Sequence, residues 1–495
     1  MKNYNKLIVL LLLLASVGFN ACQSDFLDEL PTEDSDASSV TETTDNLFSI
    51  VNGIHRSLYI RYGSQGRSGE GALMLQMENL GEDYVNTARA NGWFITTYQW
   101  NSHTSATNGD DLFPYRTYYR IIRNANTIIE GAEDAEGPEA DKNAALGQAL
   151  TYRAFAYFQL VQRYGKRYEA GAVNSQMGVP LRLNVGNEPL ARASVEDVYK
   201  QINIDLDDAI SALEGYKRPN KSHLDKSVAQ GLKARVALVQ GEYLIAAQYA
   251  AEAKAGYKLM NTTDYHDNFS DYTSDEWMWG SHIQEDQTDY FGNFGAYISR
   301  NYSSSNIRPN PKAINSTLYD MIPTTDVRKS LFDPTGKHLN LPPGVSLLST
   351  HSLKPYTSQK FIAVGTGDSR MDVPYMRVSE MYLIEAEAKA RLGDPTAADA
   401  LREMAVVRDP AYATTNTSGQ ALIDEILIQR RWELWGEGFR FYDLKRLNQP
   451  LNRNGANHQA SLAVIFDVPA GDNRWQWLIP QDALNANPLL EQNPL

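Results

Sequence analysis

Several carboxylates lie close together near the C-terminal end of the sequence, in RRWELWGEGFRFYDLKR (Arg430–Arg446). A glycosidase needs two carboxyl groups flanking the scissile bond, and Glu433, Glu437 and Asp443 would supply them. Each of these residues also lies three positions from an arginine, a spacing that pairs opposite charges on successive turns of a helix. The pattern therefore favours a network of ion pairs, and a surface glycosidase is a remote alternative.

Other catalytic signatures are missing from the sequence. It contains no Gly-x-Ser-x-Gly, His-Glu-x-x-His or Walker motif, and the glycine-rich GSQGRSGEG (Gly63–Gly71) fits neither nucleotide-binding fingerprint. The eight histidines are scattered singly, which argues against a metal cluster. We therefore expect no catalytic residue, no cofactor and no metal site, and we do not expect an enzyme.

The aromatic content indicates a different chemistry, because the chain holds 28 Tyr, 15 Phe and 8 Trp, many of them in polar stretches where a core is not expected. A sugar presents a face of C–H bonds that packs flat on an aromatic ring, which is worth roughly 1–2 kcal/mol per ring by area. Neighbouring Asn, Asp, Gln or Arg side chains then bind the hydroxyl groups. Exposed rings among such residues predict a carbohydrate-binding surface.

Two polar stretches combine rings with hydrogen-bonding side chains, Asn86–Asp111 and Gln284–Asn306. The residues that we predict to bind a ligand are Trp93, Tyr98, Tyr290, Phe291, Asn91 and Arg89. Trp93 is the leading candidate because it follows Asn91-Gly92, a turn signal that favours exposure.

Other tryptophans are predicted to lie in the core. Trp277 and Trp279 alternate around a methionine in an apolar, strand-like segment, and Trp432 and Trp435 belong to an amphipathic helix. Trp100 alternates with Tyr98, so the two would face the helices if this segment were a strand, and we assign Trp100 to the core.

Helical periodicity dominates 114–256 and 375–446, which we predict to form the main scaffold. Two segments, Ala229–Ala253 and Ser379–Met404, share one pattern: an Ala- and Leu-rich helix, a short turn containing glycine, and a second Ala-rich helix. Small residues at every third or fourth position let paired helices approach closely, so the segments resemble tetratricopeptide-type helical hairpins.

The segment 257–372 is rich in Asn, Ser, Tyr, Pro and Gly and has few periodic runs. It cannot be a simple linker, because Asp275–Ile283 alternates like a strand, and a loop region of this length is usually functional or disordered. We expect 86–111 and 257–372 to form ligand-facing loops on the helical scaffold, within a single domain that spans 41–495.

The chain carries 46 basic and 60 acidic side chains, a net charge of −14. Phosphate backbones would repel such a chain, so nucleic acid is not expected as a partner.

The only cysteine, Cys22, follows an apolar run of eleven residues, Leu7–Val17, which lies behind two lysines. The run is too short to span a bilayer, which takes about 20 residues, and it is typical of a secretory signal segment. With Ala21 directly before it, Cys22 resembles the acylated cysteine of a bacterial lipobox. We predict a lipoprotein signal peptide over 1–21, lipidation of Cys22 and a flexible acidic tether over 22–40.

Four stretches make the chain similar to the SusD/RagB family, the surface glycan-binding lipoproteins of Bacteroidetes nutrient-uptake systems. They are the lipidation segment ending CQSDFLDELP, then ALTYRAFAYFQLVQRYG followed by GVPLRL, then YMRVSEMYLIEAEAKARLGD, and finally ILIQRRWELWGEGFRFYDLKRLN with WQWLIPQDALNANPLLEQNP.

The resemblance implies a mainly α, SusD-like fold, in which four tetratricopeptide-like helix pairs form a scaffold and a loop-rich, mixed second half packs on it. It implies a protein of the outer membrane, lipid-anchored through Cys22 and facing the cell exterior. It also implies a SusC-like TonB-dependent transporter as partner. The protein would sit over that barrel as a hinged lid and deliver captured oligosaccharide to it.

A peptide- or other nutrient-binding lipoprotein of the same architecture is the alternative function. A peptide site would need backbone hydrogen-bonding edges and fewer flat rings, so the aromatic surplus favours a glycan.

Overall fold

The computed structural model describes residues 39–267, 269–338 and 341–495. The predicted signal peptide, Cys22 and nearly all of the predicted tether lie outside the described residues. Among the described helices, none combines the length and the apolar character that crossing a membrane requires.

Helices account for most of the regular structure. The longer ones are α1 (Thr44–Ser57), α2 (Gly69–Leu80), α3 (Gly109–Gly131), α4 (Glu139–Tyr164), α5 (Val195–Ala212), α6 (Lys226–Gln240), α7 (Tyr243–Ala253), α8 (Val378–Leu392), α9 (Ala397–Arg408), α10 (Gly419–Glu433) and α11 (Arg440–Arg446). Short helices cover Ile95–Tyr98, Asp264–Asp267, Phe294–Ile298, Ser316–Asp320, Ala460–Ala463 and Gln481–Ala486, and 3-10 turns cover Ser39–Thr41, Glu285–Gln287, Val327–Leu331 and Asn473–Trp475.

The helices from α3 to α10 form the scaffold, because each of them packs against the next one in the chain. The two predicted hairpins are the pairs α6/α7 and α8/α9, α4 packs against both α3 and α5, and α1 packs across α3 and α4. The mainly α fold with helix pairs that the sequence predicts is confirmed.

Local sequence signals explain where these helices begin and end. Ser194 caps α5 by accepting a hydrogen bond from the backbone N–H of Asp197 at 3.0 Å. Gly241 and Gly393 end α6 and α8 with φ of 78° and 70°, the left-handed conformation that glycine adopts without strain. Both predicted hairpins therefore turn at the glycines that the sequence indicates.

The strands are few and short. They are β1 (Tyr84–Asn86), β2 (Trp277–Ser281), β3 (Lys312–Ile314), β4 (Phe332–Asp333), β5 (Thr357–Ser358), β6 (Val373–Arg377), β7 (Leu451–Asn452) and β8 (Asp467–Val468). An antiparallel sheet has the order β1-β3-β5-β4, while β2 pairs with β6 and β7 with β8, also antiparallel. The strand predicted within 275–283 is β2, and both of its tryptophans are buried.

One large apolar cluster joins the helices to the loop-rich part, since it includes both Leu47 of α1 and Ile314 of β3. Trp100, Trp432 and Trp435 are all buried, which confirms their assignment to the core.

The prediction of an ion-pair network within 430–446 is right in kind and wrong for most of its pairs. Of the predicted pairs, Asp443–Arg446 forms, at 2.7 Å. Glu437–Arg440 does not form because Glu437 lies in the turn between α10, which ends at Glu433, and α11, which begins at Arg440. Arg430–Glu433 and Arg440–Asp443 each lie within one helix, but their side chains bind other partners: Arg430 binds Asp443, Glu433 binds Arg377, and Arg440 binds Glu82. A spacing of three residues on a helix allows an ion pair, but it does not exclude stronger partners from other elements.

Candidate ligand-binding surface

Tyr297 is the buried residue around which the candidate surface is built. Its ring meets Trp93 edge-on at 5.6 Å and Phe94 at 5.3 Å between ring centroids. Its hydroxyl donates a hydrogen bond to the backbone carbonyl of Gln65. Because burial raises the pKa of the Tyr297 hydroxyl, it stays a neutral donor at physiological pH. The short helix Phe294–Ile298 thus contacts both the loop that carries Trp93 and the loop that carries Gln65.

Trp93 lies in the loop 89–93 and is half-buried. Gly92 has φ of 83° and Phe94 has φ of 63°, so the chain turns sharply on both sides of the indole. Gly66 lies against the ring, since a Cβ on that glycine would come 3.8 Å from Cδ1 of Trp93. The turn predicted from Asn91-Gly92 is therefore present, and part of the Trp93 side chain is open to solvent.

A second loop, 289–293, carries Tyr290 and Phe291 on a turn that is fixed by hydrogen bonds. Asn293 accepts a bond from the backbone N–H of Ala296 at 2.8 Å and donates to the carbonyl of Asp289 at 2.9 Å. The carboxylate of Asp289 in turn accepts the backbone N–H of Phe291 at 3.1 Å. The result is a half-buried Tyr290 next to a Phe291 that is 59% exposed.

The two loops converge on a third, Ser64–Gly66. A Cβ on Gly292 would lie 2.9 Å from the carbonyl oxygen of Gln65, so the turn of Phe291 rests directly on this loop. An ion pair of 2.6 Å between Arg61 and Asp289 fastens the same contact. We call the surface formed by residues 64–66, 89–93 and 289–293 the aromatic surface.

Polar groups border the rings on the side of Trp93. Arg89 and Asn91 are both exposed, and the Asn91 amide donates to the hydroxyl of Ser305 at 3.0 Å. The segment is anchored at its base by Asn310, whose Oδ1 accepts the backbone N–H groups of Thr87 and Ala88 at 2.8 and 3.0 Å. The aromatic surface therefore combines rings with hydrogen-bond donors on a fixed backbone.

Tyr98 does not belong to this surface, although the sequence predicts it there. It has no solvent exposure, its hydroxyl is hydrogen-bonded to His458, and the guanidinium of Arg453 lies 4.5 Å above its ring. Burial raises the pKa of Tyr98 to about 12. Tyr98 is buried because the left-handed backbone at Phe94 leads the chain into the helix Ile95–Tyr98 rather than into a strand. The helix directs the Tyr98 ring inward.

The sequence does not indicate that the Gly63–Gly71 stretch positions the aromatic loops. Its glycines suggest only a nucleotide-binding motif, and their spacing does not fit one. In the structure Gly69 has φ of 53°, and a Cβ there would lie 2.0 Å from the carbonyl oxygen of Leu58. Arg67 binds Asp110 at 2.9 Å and holds the loop from its other side. The glycines allow a tight turn that brings Gln65 and Gly66 under both aromatic loops.

The carboxylates that a glycosidase would need are unavailable to a substrate. Glu433 has no exposed side-chain surface and pairs with Arg377, Arg408 and Arg328. Burial alone would raise its pKa, but these arginines outweigh burial and hold the pKa well below the usual value. Elsewhere in the described chain, no three His, Cys, Asp or Glu side chains converge so as to hold a metal ion.

Comparisons with known proteins agree with this architecture. Residues 348–495 match the sequence model of the SusD family, and residues 25–238 match that of a SusD-like family described as starch-binding and associating with the outer membrane. SusD-like protein P38 of Formosa agariphila is 23% identical over 449 residues, which are 79% of this chain and 81% of that protein.

Solved structures are similar over nearly the whole chain. The crystal structure of a SusD-like carbohydrate-binding protein from Bacteroides vulgatus has a TM-score of 0.78 and 26% identity, covering 90% of this chain and 97% of that one. A laminarin-binding SusD-like protein has a TM-score of 0.69 and 21% identity, covering 92% and 99% respectively, and shows the common fold. The chain therefore belongs to the SusD family of non-catalytic, outer-membrane-associated binding proteins.

Proposed function

We propose that this protein captures an oligosaccharide at the aromatic surface without cleaving it. The observation that carries the proposal is the pairing of Trp93 and Phe291, two solvent-accessible rings on loops that meet at Gln65 and Gly66. Rings fixed in this way lose little freedom when a sugar packs on them, and Tyr290, Asn91 and Arg89 lie next to them to bind hydroxyl groups. The carbohydrate-binding and laminarin-binding relatives support the same ligand class.

The proposed biological role is to pass the captured glycan to a SusC-like TonB-dependent transporter in the outer membrane. Affinity for the glycan should then be modest, because the cargo has to be released to the barrel. The support for this role is family membership together with the predicted lipid anchor. We also propose the division of the chain into a signal peptide over 1–21, a tether over 22–40 and one binding domain over 41–495.

Replacing Phe291 with alanine should weaken glycan binding about tenfold, which corresponds to about 1.4 kcal/mol. The ring is 59% exposed, so its loss should leave the melting temperature nearly unchanged. Calorimetry against a panel of neutral and acidic oligosaccharides would first identify the best ligand and then compare the variant with the original protein.

Leu244→Ala is the matched control, since Leu244 is 69% exposed on helix α7 of the scaffold. It should bind the best glycan normally. Binding of peptides but of no oligosaccharide in the panel would replace the glycan proposal with the peptide alternative.

Replacing Cys22 with alanine should release the protein from the membrane fraction, because the acylated thiol is the proposed anchor. Stable attachment takes two or more acyl chains. A variant without Cys22 carries none, so we expect it to leave the membrane fraction completely. Detergent partitioning and surface labelling of intact cells would measure this. A variant that remains in the membrane fraction at the cell surface would show that the anchor lies elsewhere.

A further inference from the structure

Acidic residues are missing from the segments that build most of the aromatic surface. The chain has 60 acidic side chains among its 495 residues, yet 84–109, 290–319 and 334–367 contain no Asp or Glu. We call these ranges the acid-free segments. The first two supply all three rings of the aromatic surface. The part of the chain that we propose to bind a glycan therefore differs in charge from the rest of this acidic protein.

The acid-free segments lie against one another in the structure. The Asn91 amide of the first segment donates to the hydroxyl of Ser305 in the second at 3.0 Å. The backbone N–H of Ser303 donates to the carbonyl of Thr366, in the third segment, at 2.9 Å. The three segments thus form one continuous part of the molecule, which begins at the loop of Trp93.

Two arginines in this part have no carboxylate partner among the described residues. Arg89 is exposed, and its side chain forms neither an ion pair nor a hydrogen bond there. Arg308 is half-buried, and its guanidinium makes one hydrogen bond, from Nη1 to the hydroxyl of Ser303 at 3.3 Å. Both arginines lie within three residues of the contact between Asn91 and Ser305, so they border the loop of Trp93 from two neighbouring segments.

The carboxylates closest to the acid-free segments in the sequence are mostly occupied by other cations. Four of those that directly precede or follow a segment form ion pairs of 2.5–2.9 Å: Asp83 with Arg431, Asp110 with Arg67, Asp289 with Arg61, and Asp368 with Arg370. These arginines match the charge of the bordering carboxylates. The positive charges of Arg89 and Arg308 are left unmatched beside the aromatic surface.

We propose that the glycan captured at the aromatic surface is an acidic one, whose carboxylate or sulfate groups bind Arg89 and Arg308. A guanidinium group presents paired N–H donors in a plane, a geometry that fits such groups and gives charge-assisted hydrogen bonds. The net charge of −14 would repel an acidic glycan elsewhere on the molecule, so the acid-free segments are where one can bind. The inference rests on the proposed function, because it specifies the class of glycan for the same surface.

Calorimetry with two matched pairs of oligosaccharides tests the preference for charge. One pair is tetragalacturonate and its methyl ester, and the other is a sulfated carrageenan tetrasaccharide and its desulfated form, so the two pairs separate carboxylate from sulfate recognition. In at least one pair the acidic member should bind about tenfold tighter or more, the low end for a hydrogen bond to a charged group. Raising sodium chloride from about 50 to about 500 mM should weaken binding of that acidic member only.

The two proposals fail in different ways in this experiment. If the neutral members bind as tightly as the acidic ones, or if the best ligand of the wider panel is neutral, the acidic preference is wrong while glycan capture stands. If no oligosaccharide binds, acidic or neutral, both the preference and the proposed function are wrong.

Arg89→Gln and Arg308→Gln should each weaken binding of the preferred acidic probe about tenfold and leave binding of its neutral counterpart unchanged. Arg89→Lys keeps the charge but loses the paired donors, so it should lose less affinity than Arg89→Gln. Arg89 is exposed, so its variants should melt like the original protein.

Arg123→Gln is the matched control, because it makes the same change in net charge. Arg123 is exposed on α3 and forms no ion pair among the described residues. This variant should bind the acidic probe normally. An equal loss for the acidic and neutral probes in Arg89→Gln would show that Arg89 binds hydroxyl groups, and an equal loss in Arg123→Gln would show an effect of net charge alone. Either result would contradict an acidic subsite at Arg89 and Arg308.

Discussion

Replacing Arg377 with methionine should lower the free energy of unfolding by about 3–5 kcal/mol, because it leaves buried carboxylates without their counter-charge. The Arg377 guanidinium is completely buried and binds Glu276, Glu433 and Glu437 together. Methionine fills similar space but supplies neither the charge nor the hydrogen bonds. The loss should therefore come from electrostatics rather than from a cavity.

The network around Arg377 is balanced in charge, which is why removing one member is costly. Its cations are Arg328, Lys360, Arg377 and Arg408, and its carboxylates are Glu276, Asp326, Glu433 and Glu437. Four positive and four negative charges become three and four in the variant. Nearly all of these groups lie below 2% side-chain exposure, so water cannot take the place of the missing partner.

The penalty should also depend on pH. Burial alone would raise the pKa of Glu437, but Arg377 and Lys360 outweigh burial and hold it below the usual value. In the original protein this carboxylate stabilises the fold above its unfolded pKa, and that contribution is lost as the pH falls through the folded pKa. Without Arg377 the pKa of Glu437 rises, so the carboxylate takes up a proton at a higher pH and the excess negative charge disappears. The stability gap between the two proteins should be wider at pH 8 than at pH 5.

Chemical denaturation of both proteins at these two pH values would measure the effect. The control is Arg116→Met, because the Arg116–Asp482 pair is 3.0 Å long but more than half exposed on both sides. An exposed pair of this kind contributes about 0–1 kcal/mol. If Arg377→Met unfolds like Arg116→Met, the buried network contributes no specific stability.

Local sequence was sufficient to predict the helical hairpins but not the ion pairs. At Gly241 and Gly393 a single glycine decides the turn, and the periodicity on each side defines the helices. The partners of Arg377, by contrast, come from the residue directly before β2, from α10 and from the loop after α10. Such contacts depend on how distant segments pack, and the residue spacing within 430–446 carries no information about that packing.

The candidate site shows the same limit. Trp93 was predicted to be accessible from the adjacent Asn-Gly, and its partial exposure agrees. Tyr98 was misplaced because its inward direction follows from the left-handed backbone at Phe94, a conformation that the residue type does not indicate. The meeting of three loops at Gln65 joins segments more than 200 residues apart in the chain, as its bond from Tyr297 shows.

Replacing Trp93 with alanine should weaken glycan binding at least tenfold, a loss of about 1.4 kcal/mol or more. Two or three stacked rings and a few hydroxyl contacts, reduced by the entropy of association, give a Kd near millimolar to tens of micromolar. Removing the ring on which Gly66 and Tyr297 converge should take away a large share of that energy. Because part of the indole is already open to solvent, the melting temperature should change little.

Trp435→Ala should do the opposite. Trp435 is 1% exposed, its ring stacks on Tyr84 at 5.3 Å, and its indole N–H donates to the carbonyl of Asp83 at 2.9 Å. Emptying this position should cost roughly 3–5 kcal/mol of stability, while the protein that remains folded should bind the glycan normally. Calorimetry and thermal melting of both variants, with the best oligosaccharide of the panel, separate the two roles. If Trp93→Ala binds normally, or melts as early as Trp435→Ala, then Trp93 belongs to the core and the binding site has to be sought around Tyr290 and Phe291.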